Sequence, residues 1–152
     1  MKALQLLLNT TNQSAPLIAR VTLGVIMFPH SAQKALGWFG GHGFSGTMNF
    51  FTGTLHIPSL FAFLAIAAEF AGALGLIVGA FSRVAAFGIA SVMAVAIFTA
   101  HGANGFFMNW TGTQQGEGFE YHLLAIGLAL IVIVQGGGKA SVDALLARKL
   151  TA

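Results

Sequence analysis

Between Pro58 and Gly79 the chain is apolar except for one charge, Glu69. About 22 residues of helix at ~1.5 Å each are enough to cross the ~30 Å hydrocarbon core of a bilayer. Pro58 suits the start of such a helix, where its missing N–H would have no partner anyway. Glu69 follows about 11 residues later, ~16 Å along the helix and near the bilayer centre. Inserting a carboxylate at that depth costs on the order of 3 kcal/mol or more, so the chain must give it a partner, a proton or a wet cavity.

Composition points the same way. Of the 152 residues, 56% are hydrophobic and only 7% are charged. A soluble domain carries roughly 25% charged residues, so this chain could not cover a water-facing surface. The expectation is an all-α bundle of four transmembrane helices with a short cytoplasmic C-terminal helix. It forms one domain over residues 1–152, with spans at about 16–36, 58–79, 84–100 and 119–135. The net charge is +3, with basic residues too scattered for a nucleic-acid stripe, so the expected partner is the lipid bilayer. The chain has no cysteine, which rules out disulfides, thiolate nucleophiles, iron–sulfur ligation and thiolate zinc sites. In any redox role a cofactor, a substrate or a partner must therefore carry the electrons. The opening Met1–Leu8 stretch is too short for a signal-peptide core and reads as an interfacial segment.

In the first span Ser14 is a candidate N-cap, and Pro29 removes a backbone hydrogen bond and is expected to kink the helix. At 100° per residue, Arg20, Met27, His30 and Lys34 share a face spanning about 80°. The Gly37–Gly46 stretch is glycine-rich but is not followed by Gly-Lys-Ser/Thr, so a phosphate loop is set aside for an irregular surface loop with Trp38, Phe39 and Phe44 in the interface. The second span carries Ala71, Gly75 and Gly79, and likewise Ala68 and Gly72, at four-residue spacing; such ladders let a neighbouring backbone approach. Gly136–Gly138 stops the fourth span, and Ser141 is placed to cap the tail helix.

Lys2, Arg83, Lys139, Arg148 and Lys149 fall on one side of the membrane, and Lys34 alone lies at the margin of the other. The positive-inside rule then predicts that both termini are cytoplasmic. His30, Lys34, His101, Glu120 and His122 gather near the outer surface. Helical spacing turns Glu120 and His122 about 160° apart, and Glu120 is the one expected to face the others.

Arg20 is placed roughly one turn inside its span with Glu69 ~9 Å further out, so the plainest reading pairs the two charges. Alternatively Glu69 lines a cavity and exchanges a proton. His30 and His101 are candidates for interfacial hydrogen bonding or proton transfer; without short-range His spacing, haem or a metal is disfavoured.

Several motifs, read together, resemble the DoxX family. They are Phe28-Pro29-His30-Ser31-Ala32-Gln33-Lys34, Ala68-Glu69-Phe70-Ala71-Gly72 leading to Gly79-Ala80-Phe81-Ser82-Arg83, Met93 through His101 before Gly105-Phe106-Phe107, Glu120-Tyr121, and Gly136 through Asp143. The resemblance implies a four-helix inner-membrane protein with an oxidoreductase label carried by analogy from thiosulfate:quinone oxidoreductase subunits. It also implies importance for Arg20, His30, Lys34, Glu69, Arg83, His101 and Glu120. The leading expectation is a redox component that binds a quinone-like or small polar substrate in the outer half. Glu69, His30 and Lys34 are the candidate catalytic residues, and Arg20, His101 and Glu120 the candidate substrate contacts. A proton-coupled transporter and a scaffold for a soluble oxidoreductase are the alternatives. A second membrane subunit or a second copy is compatible with each.

Overall fold

The computed structural model describes residues 2–151. Among these residues there is no strand, and the chain runs as α1 (Lys2–Leu8), α2 (Ser14–Leu36), α3 (Gly43–Asn49), α4 (Ser59–Val78), α5 (Ser82–Ala96), α6 (Glu120–Gln135) and α7 (Val142–Thr151). The bundle is made by α2, α4, α5 and α6, which pack in that order around a ring that α6 closes back onto α2.

Ser14–Leu36, Ser59–Val78 and Ser82–Asn104 are long and apolar enough to cross a membrane. The last reaches that length because α5 continues through a π-helical turn at Ile97–His101 and a 3₁₀ turn at Gly102–Asn104. The fourth expected span is the shortest. At 16 residues α6 extends only ~24 Å, and its flanking turns must fill the remaining depth.

The exposed side chains of these helices include Phe61, Phe63, Phe87, Phe98, Leu124 and Val134, a surface suited to lipid. Inside, Leu23, Met27, Leu76, Ile89 and Val132 pack among alanines. The small residues do what their spacing predicts, within the same chain. A Cβ on Gly24 would sit 2.9 Å from the Ala73 carbonyl oxygen, so α2 and α4 touch backbone to backbone. Gly88 meets Ala68, and Gly72 meets Ala85 and Ile89, closing α4 on α5 in the same way.

Two local expectations are corrected. Ser14 lies inside α2, whose N-cap is Gln13 without a side-chain cap bond. The connection from α2 to α4 departs from the irregular loop expected at Gly37–Gly46, forming a 3₁₀ turn at Trp38–Gly40, α3 and a π-helical turn at Phe50–Thr54. It is propped against the bundle by the Thr47 hydroxyl donating to the Lys34 carbonyl (3.1 Å) and by Phe44 edge-on to Phe63.

At the end that carries both terminal helices, the connections are held by buried charges. Arg20, 2% exposed, donates to the Leu76 and Ile77 carbonyls at the C-terminus of α4 and to Gly137, Lys139 and Ala140 in the turn after α6. The Asp143 carboxylate accepts from the Phe81 and Ser82 amides and so caps α5, while the Ser141 hydroxyl caps α7 as expected. Arg83 adds bonds to the Asn9 and Ile133 carbonyls.

Candidate functional site

The α2–α4 register decides which charge reaches Glu69. Gly24 lies against Ala73, and Phe28 packs on Phe70 with ring centroids 6.2 Å apart. That alignment sets Arg20 level with Ile77, whose carbonyl it binds, and so ~12 Å from Glu69 along α4. Lys34 lies ~9 Å beyond Phe28 on α2, and its flexible stem reaches back. Its ammonium meets both carboxylate oxygens of Glu69, at 2.7 and 2.6 Å.

The Lys34–Glu69 pair therefore replaces the expected Arg20–Glu69 pair. Arg20 cannot serve both places, because its planar donors are already committed to carbonyls. The Glu69 side chain is 1% exposed and the Lys34 side chain 33%, so the carboxylate is sealed and the ammonium forms its open edge.

Other polar groups surround the pair. His30, exposed one turn before Lys34, lies within electrostatic reach of both Lys34 and Glu69. The Tyr121 ring is 5.9 Å from that of His30, and its hydroxyl donates to the Met27 sulfur at 3.3 Å. Tyr121 also feels the Glu69 charge. His122 is 6% exposed and its ring packs at a tilt against that of His101, 4.2 Å between centroids. Its Nδ1 is buried without a hydrogen-bond partner among the described residues, a group that normally finds one.

Glu120 turns the other way, which corrects the expectation that it faces the cluster. It accepts from the Met108 amide and the Trp110 indole, both at 3.2 Å. The Gly105–Phe119 loop folds back over the start of α6 through Phe119 N–H to Gly105 and Glu120 N–H to Phe106. That fold claims the Glu120 side chain for the loop. His101 is tethered to the same loop, its Nδ1 lying 2.9 Å from the Glu117 carbonyl. Among the described residues no group of three or more His, Asp or Glu side chains could hold a metal ion.

The structure thus brings His30, Lys34 and Glu69 together and sets His101 beside His122. It leaves Arg20 at the other end of the bundle and Glu120 in the loop. Sequence reasoning misses Tyr121 as a member of the cluster and passes over His122 in favour of Glu120. Their signal lay in α6, where His122 heads the inward stripe of Ala125, Ala129 and Val132.

A comparison with protein families finds that the DoxX family model matches residues 15–102, more than half of the chain. The chain belongs to the DoxX family. The DoxX match covers the α2–α5 part of the bundle and with it Arg20, His30, Lys34, Glu69, Arg83 and His101. Tyr121 and His122, which complete the cluster from α6, lie beyond it. No curated protein and no solved structure matches this DoxX chain.

Proposed function

We propose that this DoxX protein is a membrane redox component whose Lys34–Glu69 cluster holds the oxygen-bearing head of a quinone-like ligand and exchanges protons with it. The observation that carries the reading is the asymmetry of the pair. A carboxylate sealed at 1% exposure is held by an ammonium one-third open, with His30 one turn away on the open side.

Such an arrangement suits a carbonyl or phenol oxygen. The Lys34 ammonium has a third N–H beyond those given to Glu69, and it is a donor for a ligand oxygen. The His30 imidazole, exposed one turn before Lys34, has ring nitrogens that can donate to or accept from the same ligand oxygen. Glu69, fixed by both oxygens on Lys34, holds the local charge balance as protons come and go. The unpartnered His122 Nδ1 beside His101 offers a further proton station toward the Glu117 loop. A quinone head, when bound, supplies the redox chemistry, taking a pair of electrons together with a pair of protons. With no cysteine in the chain, those electrons come in this proposal from a soluble partner.

The same reading puts both termini in the cytoplasm of a bacterial-type inner membrane. Arg83, Lys139, Arg148 and Lys149 belong to the end of the bundle built from α7 and the α4–α5 and α6–α7 turns, as the positive-inside rule asks. The cluster then lies in the outer half.

The test is to purify the protein in lipid nanodiscs beside Glu69→Gln, record visible spectra and identify co-extracted small molecules by mass spectrometry. A stoichiometric quinone present in the wild type and lost from the folded variant supports the proposal. A wild-type protein that carries no quinone and takes none up from quinone-loaded nanodiscs refutes it.

A further inference from the structure

Along the seam between α2 and α6 runs an open groove of about 420 Å³, within the size range of small-molecule sites. Leu23 and Ile26 line it from α2, and Tyr121, Leu124, Gly127 and Leu128 from α6. Ile26 and Leu124 are exposed, so the groove faces the lipid.

Gly127 keeps it open. A Cβ built there meets nothing within 4 Å, whereas one on Gly24 would sit 2.9 Å from the Ala73 carbonyl oxygen and one on Gly88 3.2 Å from the Ala68 Cβ. Helix packing therefore does not ask for glycine at this position, and a helix interior disfavours it relative to alanine. What glycine supplies here is room.

The groove borders the polar cluster at one residue. Tyr121 forms its wall at one end, and the same ring lies 5.9 Å from His30. His30 in turn is within electrostatic reach of Lys34 and Glu69. From Tyr121 to Leu128 the groove extends ~10 Å along α6, away from the cluster and into the hydrocarbon depth.

We propose that this groove holds the hydrocarbon chain of an amphiphile that enters sideways from the bilayer and presents its oxygen-bearing head to His30, Tyr121 and Lys34. The inference rests on the function proposed above and adds to it the requirement for a single apolar tail. An ordinary lipid chain would fit the groove equally well, but its head has no claim on the buried carboxylate. The head contact is what separates the two occupants.

The experiment measures equilibrium binding to the full chain in nanodiscs. The probes are a benzoquinone with a decyl side chain, the same head without the chain, and a decyl chain on a zwitterionic head. The variants are Gly127→Ala and Gly127→Phe, both projecting into empty space. The decyl quinone should bind at least about tenfold more tightly than the tailless head, and Gly127→Phe should remove that advantage while Gly127→Ala keeps most of it. Tailless binding should be the same in all three proteins.

If both quinones bind equally well and Gly127→Phe changes neither, the groove is overturned while the head site stands. If the zwitterionic decyl probe binds as tightly as the decyl quinone, the groove belongs to bulk lipid and the inference is also overturned. Failure of both quinones to bind wild-type protein would remove the head site and the groove together.

Discussion

Lys34 and Glu69 form a two-pronged ion pair whose members differ sharply in exposure, 33% for the lysine side chain against 1% for the carboxylate. Removing either partner leaves the other charge behind, but in different surroundings.

Lys34→Met strands a sealed carboxylate and should cost about 2–4 kcal/mol. Glu69→Gln strands an ammonium that water or lipid headgroups can reach, and should cost about 1 kcal/mol. The double variant should recover at least half of the Lys34→Met loss. Thermal unfolding of the four proteins in one detergent checks the ranking, and equal losses from the single variants would contradict it.

Arg20 should behave as a stability residue. Lys in its place keeps the charge but loses the planar fork that spans the α4 carbonyls and the Gly137–Ala140 turn. Arg20→Lys should lower stability by about 2–3 kcal/mol and leave ligand affinity per folded molecule unchanged. The checks are unfolding in detergent alongside a binding isotherm. A lost affinity without lost stability would place Arg20 in the site after all.

His122 combines burial with an unsatisfied ring nitrogen. Replacing it by Phe keeps the ring contact with His101 and removes the orphan, so His122→Phe should gain up to about 1 kcal/mol. If His122 is a proton station, proton uptake coupled to quinol formation should slow in the same variant. A stability gain with unchanged proton uptake would assign His122 to packing alone.

Much of the bundle is legible in the sequence because burying helices in lipid demands long apolar runs, and the depth of Glu69 follows from counting residues. The partner of Glu69 is not legible that way. Single-helix depths treat α2 and α4 as parallel rulers with a common zero, whereas their relative slide is fixed by Gly24 on Ala73 and Phe28 on Phe70. Arg20 is claimed by a turn 117 residues away, a contact no local pattern announces. For α6, helical spacing correctly separates Glu120 from His122. The choice between them turns on a loop whose return over the helix start is a tertiary event.

Gly24 and Gly127 make a matched contrast. Gly24→Ala places a methyl 2.9 Å from the Ala73 carbonyl oxygen and Ile77, and should cost about 1–3 kcal/mol by forcing α2 and α4 apart. Gly127→Ala should be neutral or slightly stabilising. Both are read from the same unfolding assay, and similar effects at the two positions would argue against the close α2–α4 seam.

The most direct measurement is binding of the tailless benzoquinone to wild type, Glu69→Gln and Arg20→Lys in nanodiscs, each corrected for folded fraction. Loss of the carboxylate frees Lys34 from its fixed position and should weaken binding by at least about tenfold, ~1.4 kcal/mol, while Arg20→Lys should match wild type. Equal affinity in all three, or a loss confined to Arg20→Lys, would contradict a head site built on Lys34 and Glu69.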